Sequence, residues 1–439
     1  MISAILKAIG WLVVYLGSIG ILTAVFLIGD LPEPRGFWTE FGAVLGFAVL
    51  AMLGLQFILT GRYRGVGRPF GIDIIVQFHR HAGILLLVAF LAHPLILIFS
   101  RPDYLEYLDP RVNFLRTLFL AIASLAMTLL VVLSLWRTAF GLSYEWWRLS
   151  HAALAGVVVF VGMVHAWQVG HYVDGPLKRG WLVLLGVSVF AGLAYVRLYR
   201  PWRSKRRPYR VIEVHERRGE STTLVIEPVG HAGLTFRGGQ YAWLTIGETP
   251  FTLQQHPFSF SSSDRAAPAR LEFTAKQLGD FTTSLQHVDV GTGAFLEGPF
   301  GEFVLDDDAS GAVFIMGGIG VTPAISILRG MRDRGDSRPA LLFYGSPTWE
   351  QTAFRKELDR LSHDSPLRIV YVLSDAGPEW EGEVGYIDRE LLERYIGDAE
   401  RRHSYFVCGP EPMMDAVEGA LLEIGIPLVQ TRAERFNFV

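Results

Sequence analysis

The chain has 439 residues, a net charge of −3 and a single cysteine, Cys408. Half of its residues are hydrophobic and only 19% are charged. The length predicts more than one domain, the lone cysteine excludes an internal disulfide and a thiolate metal cluster, and the charge balance shows no sign of nucleic-acid binding.

Long apolar segments fill the first 200 residues, which is typical of a membrane domain. A helix needs about 20 apolar residues to cross a bilayer. The first segment is too long for the apolar region of a signal peptide, so it is predicted to remain as a span. Six spans are predicted, near residues 3–28, 37–60, 73–99, 112–136, 144–169 and 181–199.

The distribution of basic residues predicts the orientation of these spans. An even number of spans places both termini on one side. That side holds twelve Lys and Arg residues near span ends, Arg64 and Arg68 among them, whereas the opposite side holds six. Positive residues favour the cytoplasm, so we predict a cell (inner) membrane protein with both termini and the second half of the chain in the cytoplasm. The basic run 203-RSKRRP-208 is predicted to contact anionic lipid.

Histidines recur with equal spacing in two of the spans. His79 and His93 lie fourteen residues apart in the third span, and His151 and His165 have the same separation in the fifth. Fourteen residues return to within about 40° of the same helix face and advance about 21 Å. A single histidine would more often bond a backbone carbonyl, but imidazole is also an axial ligand of haem iron. The repeated spacing therefore predicts two haem b groups, an inner one between His79 and His151 and an outer one between His93 and His165.

Three further residues lie near the inner histidine pair. Arg80 and Arg148 are predicted either to neutralise haem propionates or to anchor their spans at the membrane surface. His81 lies about 200° around the helix from His79, so it is predicted to point elsewhere.

The second half of the chain has the pattern of two smaller folds. From about residue 209 it contains short alternating runs: YRVIEVHER, TTLVIEPV, QYAWLTI, HPFSFSS, RLEFTAKQ and AFLEGPFGEF. Period-two runs broken by Gly and Pro predict a small antiparallel β-barrel. After the acidic linker 306-DDDASG-311, apolar strands alternate with helical stretches, which predicts an α/β domain with a parallel sheet. The predicted domains are 1–202 for the transmembrane helical bundle, 203–305 for the barrel and 306–439 for the α/β domain.

A glycine-rich turn follows the first strand of the α/β domain. In 317-GGIGVTP-323 the glycines would let the backbone approach a pyrophosphate, and the next helix would offer free N–H groups at its N-terminus. Thr322 is predicted to cap this helix and Pro323 to lie in its first turn. The second strand ends in 344-YGSPTWEQTAFRKEL-358, where Ser346 and Arg355 are candidate ligands of a 2′-phosphate. We therefore favour NADPH, with NADH as the alternative.

Five motifs stand in the order found in ferredoxin–NADP reductase-like flavoproteins. They are HPFSFSS (256–262), GDFT (279–282), EGPFGEF (297–303), GGIGVTP (317–323) and FVCGPEPMM (406–414). A six-span domain with paired histidines in front of such a module resembles the NADPH oxidase and ferric reductase family over essentially the whole chain. The resemblance implies an oxidoreductase that binds FAD and NAD(P)H.

The resemblance also implies functions for individual residues. The HPFS strand would lie against the flavin, and the GDFT turn would hold the FAD pyrophosphate. For FAD this names His256, Pro257, Phe258, Ser259, Ser261, Gly279, Asp280, Phe281 and Thr282. For the nicotinamide nucleotide it names Gly317, Gly318, Gly320, Thr322 and Pro323 at the pyrophosphate, and Cys408, Gly409 and Pro410 near the nicotinamide. A C-terminal aromatic ring would cover the flavin, and Phe436 is favoured over Phe438.

The implied function is transmembrane electron transfer. Nicotinamide releases two electrons as a hydride and a haem iron accepts one at a time, so FAD would lie between them and convert one mode into the other. The expected path runs from NAD(P)H through FAD, the inner haem and the outer haem to an acceptor outside. Dioxygen, giving superoxide, is the favoured acceptor. A ferric chelate and a periplasmic protein are the alternatives, and the sequence indicates no obligate protein partner.

The second span departs from the NADPH oxidase pattern. Members of that group place an Arg beside the outer haem, and the middle of this span, GAVLGFAVLAMLGLQF, contains none. An oxygen site of the animal type is therefore not expected.

Overall fold

The protein is described by a computed structural model, which covers residues 2–63 and 71–436. Arg64, Arg68 and Phe438, three residues named above, lie outside the described residues. The chain divides into two compact units, one containing the long helices up to Tyr199 and the other beginning at Arg200. The domain limits at residues 202 and 305 remain predictions from the sequence.

The first unit consists of long apolar helices. Leu85, Val88 and Leu125 on these helices are 59%, 58% and 61% exposed, as expected of side chains that face lipid rather than water. Within residues 2–63 and 71–436, six segments are long and apolar enough to cross a membrane, and the chain is a multi-pass membrane protein. The helices are α1 Ile2–Ala24, α2 Phe37–Thr60, α3 Ile72–Ser100, α4 Phe114–Leu135, α5 Tyr144–Val169 and α6 Gly175–Ala194.

The last long helix begins earlier than predicted. The sequence placed the start of the sixth span at residue 181, whereas α6 begins at Gly175. Pro176 occupies the first turn of this helix, where the absence of an N–H group costs nothing. A π-helical turn, Tyr195–Tyr199, follows α6.

Close packing of α2 against α3 depends on two glycines of α2. Gly42 and Gly46 lie four residues apart, the small-residue spacing that lets membrane helices approach closely. A Cβ atom on Gly46 would lie 2.6 Å from Cε1 of His93, and one on Gly42 would lie 3.0 Å from Cδ2 of Leu97. The imidazole of His93 therefore occupies space that exists only because residue 46 has no side chain.

The second unit begins with the short helix α7, Arg200–Lys205, and an antiparallel sheet in the strand order β4-β3-β6-β1-β2-β5. The two edge strands meet at a bridge between Phe260 and Phe273, so the sheet curls toward the predicted barrel. Its core includes Leu224, Leu244 and Phe260, which are completely buried. The strands are β1 Tyr209–Arg217, β2 Ser221–Pro228, β3 Tyr241–Ile246, β4 His256–Ser259, β5 Leu271–Lys276 and β6 Gly293–Phe300, and the short helix α8 Asp280–Ser284 lies between β5 and β6 in the chain.

A parallel sheet completes the second unit, with the strand order β10-β9-β8-β7-β11-β12. Its strands are β7 Ala312–Gly317, β8 Ala340–Ser346, β9 Leu367–Leu373, β10 Glu383–Val384, β11 Ser404–Cys408 and β12 Thr431–Ala433. Its helices are α9 Thr322–Arg334, α10 Arg355–Asp364, α11 Arg389–Tyr395 and α12 Glu411–Glu423. The first strand of the sheet, β7, lies between β8 and β11, and the direction of winding changes beside it. Ligands of such sheets bind outside the carboxyl ends of the strands at this change of direction.

Candidate cofactor sites

An aromatic surface joins the HPFS strand to the GDFT turn. Along β4, His256 and Phe258 are partly exposed, whereas Pro257 and Ser259 are buried. The ring of Phe281 stacks on that of His256 with 4.1 Å between the centroids, and it lies 6.1 Å from the ring of Phe258. The structure thus brings together two motifs that the sequence separates, as expected if both contact one flavin.

The GDFT turn is shaped by its own threonine. The hydroxyl of Thr282 accepts hydrogen bonds from the amides of Leu278 (2.9 Å) and Gly279 (3.1 Å) and donates to the carbonyl of Gly279 (3.0 Å). The side chain of Asp280 is exposed. Because the hydroxyl of Thr282 is used within the turn, a pyrophosphate held here would bind main-chain amides.

Ser259 and Ser261 face inward, in contrast to His256 and Phe258. Ser259 is 7% exposed. Ser261 is completely buried, and its amide donates to the carbonyl of Glu272 (2.8 Å) while its hydroxyl accepts from Thr274 (3.0 Å). The carbonyl of Ser261 accepts from Arg329 at 2.7 Å. Ser261 therefore supports the strand through its backbone groups and its hydroxyl oxygen, and its contact with a flavin stays a prediction.

The glycine-rich turn packs against the second nicotinamide motif at the carboxyl ends of β7 and β11. Cβ atoms on Gly317 and Gly409 would lie 2.6 Å and 2.8 Å from the side chain of Met413, and one on Gly320 would lie 2.5 Å from the carbonyl oxygen of Cys408. Gly318 has a φ of +53°, which an L-residue adopts only with strain. The sequence GGIGVTP therefore lies at the edge of the sheet where a dinucleotide is expected.

Thr322 differs from its prediction. Helix α9 begins at Thr322 without a side-chain cap, and Pro323 lies in the first turn as predicted. The hydroxyl of Thr322 donates to the carbonyl of Ile319 at 2.7 Å, and the residue is 3% exposed. The predicted capping role is wrong because the hydroxyl closes the preceding 3₁₀ turn, Gly318–Val321.

Cys408 at the end of β11 has a buried, neutral thiol. The residue is 3% exposed, and burial, assisted by the carboxylate of Glu434, raises the pKa of the thiol. Pro410 follows in an extended conformation just before α12. A buried thiol with a raised pKa favours the protonated form, which suits packing against a nicotinamide better than nucleophilic attack.

The C-terminal segment brings Phe436 to the strand beside β4. Its ring meets that of Tyr241 edge-on, with 5.5 Å between the centroids, and Tyr241 pairs with Ser259 across β3 and β4. Glu434 is 7% exposed, and a Cβ atom on Gly301 would lie 2.6 Å from its Oε1 atom. The resemblance in sequence also covers GGQY (238–241), which contains Tyr241, as the turn before a flavin-facing strand, whereas Glu434 was not predicted.

The two candidate ligands of a 2′-phosphate lie where β8 ends. The hydroxyl of Ser346 donates to the carbonyl of Thr348 at 3.2 Å. The guanidinium of Arg355 lies 4.3 Å from the ring centroid of Trp349 and donates to the carbonyl of Trp349 at 3.3 Å. Trp349 also contacts the ring of Trp380, with 5.0 Å between the centroids. The contact of Ser346 and Arg355 with a phosphate stays a prediction.

The transmembrane histidines pair as the sequence predicted. Ring centroids are 6.1 Å apart for His79 and His151, and 6.4 Å apart for His93 and His165. His81 is exposed, and its Nδ1 atom bonds the carbonyl of Gln77 at 2.8 Å, so it points away from the pair. Of the two nearby arginines, Arg80 is exposed and Arg148 is partly buried, and their predicted contact with propionates stays a prediction.

One imidazole in each pair is oriented by a hydrogen bond. Nδ1 of His93 lies 2.7 Å from the carbonyl of Gly42, which can only accept, so Nδ1 carries the proton. Nδ1 of His151 lies 3.0 Å from the hydroxyl of Ser134, whose own proton is donated to the carbonyl of Leu130. In both rings Nε2 therefore keeps the lone pair that a metal ligand requires.

The histidine pairs fit a metal that is bound from two sides. Two metal–imidazole bonds of about 2 Å each would separate the facing nitrogens by about 4 Å, and each ring centroid lies further back. The observed centroid separations match that arrangement. Nδ1 of His79 and of His165 is buried without a hydrogen-bond partner among the described residues. The described residues contain no group of three His, Cys, Asp or Glu that could hold a metal ion, and the binding of haem at the two pairs stays a prediction.

Family profiles match all three parts of the chain. Residues 45–162 match the ferric reductase-like transmembrane component, residues 213–302 an FAD-binding domain and residues 314–419 an oxidoreductase NAD-binding domain. The chain is therefore a transmembrane oxidoreductase with a flavin- and nicotinamide-binding module. A ferric reductase-like membrane component is thus joined to a ferredoxin–NADP reductase-like module, which is the combination that the resemblance in sequence implied.

Two individual relatives each match about half of the chain. The reductase component of propane 2-monooxygenase from Mycolicibacterium goodii is 31% identical over 240 residues, which cover 52% of this chain and 66% of that protein. A flavohemoprotein from Deinococcus radiodurans is 28% identical over 250 residues, which cover 54% of this chain and 60% of that protein. The chain thus spans less than two thirds of the length of these relatives. The crystal structure of a flavohemoglobin from Malassezia yamatoensis has a TM-score of 0.50 at 18% identity and covers 91% of this chain and 97% of its own, a likeness of fold alone.

Proposed function

We propose that this oxidoreductase transfers electrons from cytoplasmic NADPH through FAD and two haem b groups to dioxygen on the opposite side of the membrane, releasing superoxide. The observation that carries the proposal is the presence of two histidine pairs at one-metal spacing in a membrane component fused to a flavin and nicotinamide module. The cofactors supply hydride donation, conversion of an electron pair into single electrons, and one-electron acceptance.

The transmembrane residues would hold the haems through their Nε2 atoms. His79 and His151 would bind the inner haem, and His93 and His165 the outer haem. The hydrogen bonds from His93 to Gly42 and from His151 to Ser134 set ring orientation and increase the basicity of the ligand. The protein thus contributes position and ligand strength at each haem.

The second unit would hold the flavin and the nucleotide on adjoining surfaces. The aromatic rings of His256, Phe258 and Phe281 offer a face for the isoalloxazine. The turn at Gly317–Val321 offers main-chain amides to the nucleotide pyrophosphate. Phe436 would cover the flavin until the nicotinamide displaces it, and Cys408 would contact the nicotinamide as a neutral side chain.

Arg355 supports the choice of NADPH over NADH. Its guanidinium is stacked on the indole of Trp349 at the end of β8, which fixes the cation without using all of its donors. A 2′-phosphate would bind there by charge-assisted hydrogen bonds. NADH is the alternative donor.

Two other acceptors are alternatives to dioxygen. The ferric reductase description of the matched membrane component supports a ferric chelate. The relatives that are reductase components of monooxygenases support transfer to a partner protein. Each of the three acceptors would oxidise the reduced protein only when that acceptor is present. An experiment that adds them one at a time can therefore distinguish them.

The test uses the full-length protein purified in detergent with FAD added. Absorption spectra are recorded while NADPH is added under argon, air is then admitted, and superoxide is assayed with and without superoxide dismutase. Haem reduction under argon followed by a dismutase-sensitive signal in air is the expected result. Haem reduction that persists in air and is discharged by a ferric chelate would assign a ferric reductase instead. The absence of any haem band would overturn the proposal.

A further inference from the structure

Helix α9 connects the nucleotide turn to the flavin-facing strand. The helix begins at Thr322, directly after the glycine-rich turn. Four residues later, the hydroxyl of Ser326 donates to the carbonyl of Ser262 at 2.7 Å. Both residues are buried, at 0% and 2% exposure, and Ser262 lies three residues beyond the end of β4. One helix thus contacts both predicted cofactor surfaces.

Arg329 extends this connection from the next turn of α9. Its guanidinium donates to the carbonyl of Ser261 (2.7 Å) and to Oε2 of Glu272 (2.7 Å), both in the antiparallel barrel. It also donates to both carboxylate oxygens of Glu357 on α10, at 2.6 Å and 2.8 Å. Arg329 therefore bridges a carboxylate of the barrel and a carboxylate of the parallel-sheet domain.

The two ion pairs of the bridge are largely shielded from water. The side chain of Arg329 is 11% exposed, and those of Glu272 and Glu357 are 15% and 18% exposed. Burial alone would raise the pKa of Glu357, but the guanidinium of Arg329 outweighs that effect and holds it below its usual value. Paired charges in such surroundings resist separation, because parting them would leave each charge buried and uncompensated.

Two further contacts continue the same face of α9. Arg334 forms an ion pair with Asp264 at 2.8 Å. A Cβ atom on Gly238 would lie 3.0 Å from Cα of Ile327, so the turn before β3 also rests on this helix. The contact of α9 with the barrel thus runs from Ser326 to the end of the helix.

We propose that Ser326 and Arg329 are positioning residues for hydride transfer. They fix α9, and with it the nucleotide turn, at a set separation from strand β4. The proposal rests on the proposed binding of FAD and NADPH at these two surfaces. The step transfers a hydride, two electrons with one proton, from the dihydronicotinamide to the oxidised flavin, so the nicotinamide is oxidised and the flavin reduced. Neither residue takes part in that step. A displacement of about 1 Å between reacting groups can cost about a hundredfold in rate.

The test compares two charge-removing substitutions on either side of Arg329. Glu272→Gln alters the partner in the barrel, and Glu357→Gln alters the partner in the domain that contains α9. Both replace a buried carboxylate with an amide of similar shape. Full-length protein in detergent with FAD is mixed with NADPH under argon, and flavin reduction is followed by stopped-flow absorbance.

We expect Glu272→Gln to lower the limiting rate of flavin reduction about tenfold or more, because α9 loses its charged link to the barrel and the nucleotide turn is held less rigidly against β4. The NADPH concentration at half saturation should stay unchanged, and the kinetic isotope effect with NADPH deuterated at C4 should increase. Glu357→Gln should keep a rate close to that of the unchanged protein. Ser326→Ala removes one hydroxyl without altering charge, and it should lower the limiting rate in the same way.

Equal losses in Glu272→Gln and Glu357→Gln would identify a purely structural function of Arg329 and overturn the proposal. An unchanged limiting rate in Glu272→Gln, or in Ser326→Ala if the first variant does not fold, would also overturn it. Flavin reduction is measured independently of the haems. A protein whose flavin is reduced but which binds no haem would therefore refute the proposed function and leave this comparison valid.

Discussion

Burial of Cys408 determines the reactivity of its thiol. Its thiol is 3% exposed, and its pKa is raised by burial and by Glu434, so the thiol stays protonated at pH 8. We expect the native protein to resist iodoacetamide at that pH, because the thiolate is the reactive form. The chain has no other cysteine, so mass spectrometry would give a simple answer. One adduct should form after unfolding in guanidinium, and a rapid adduct on the native protein would contradict the buried position.

Phe436 is the residue expected to compete with the nicotinamide. Its edge-on contact with Tyr241 is of a kind worth about 0.5–1.5 kcal/mol. Phe436→Ala removes the competing ring, and we therefore expect nucleotide binding to tighten by about three- to tenfold. Phe436→Tyr keeps the ring and is the matched control. Titration with NADP⁺ would measure the change, and equal affinities in both variants would remove Phe436 from this role.

The positions of individual residues could be predicted from the sequence where the helical repeat determines which face of a helix a side chain occupies. His79, His93, His151 and His165 meet as predicted because helical spacing fixes which face each side chain occupies. The burial of Ser261 could not be predicted in the same way, because it depends on contacts with Thr274 and Arg329, which are distant in sequence. Its serine-rich run gave no sign of those partners.

Helix α2 must keep a glycine where it faces His93. A methyl group on Gly46 would overlap the imidazole, whereas one on Gly54 of the same helix would make an ordinary contact of 3.5 Å with Val189. We expect Gly46→Ala to lose the outer haem and about half of the haem absorbance, because His93 would be displaced. Gly54→Ala is the matched control and should keep both haems. Quantitation of haem per protein would test this, and full haem content in Gly46→Ala would contradict it.

Elements with a strong internal pattern were predicted closely, and elements defined by their neighbours were not. The runs at β1 and β7 have alternating or apolar patterns, and both were predicted. Strands β10 and β12 have two and three residues, too few to show any period, and they exist because they pair with β9 and β11.

Removal of the outer histidine pair alone would test whether electrons pass through two haems in series. We expect a variant with both His93→Leu and His165→Leu to lose one haem, to keep NADPH-dependent flavin reduction and to lose transfer to the outer acceptor. His81→Leu alters an exposed histidine on the same helix and should change none of these. Spectra of flavin and haem under argon would give the answer. Full haem content in the double variant would refute the outer pair.

At the scale of the whole molecule, the order of membrane bundle, barrel and parallel-sheet domain followed from the sequence. Apolar length, period-two runs and the alternation of strands with helices differ enough to separate these parts. The acceptor has no comparable signature, because electron transfer from a haem edge needs no catalytic side chain at a fixed spacing.

The strand arrangement has a consequence for association between copies of the protein. The edges of the antiparallel sheet meet at the Phe260–Phe273 bridge, and the parallel sheet ends at β10 and β12, which are very short. Long unpaired edges are templates on which another chain can add a strand and begin to aggregate. Within the described part of the second unit, the edges of the parallel sheet are too short to serve as such templates, and the edges of the antiparallel sheet are joined at one bridge. Membrane proteins are concentrated in two dimensions, so neighbouring molecules meet often. The short strands at the edges of the parallel sheet make strand addition between such neighbours unfavourable.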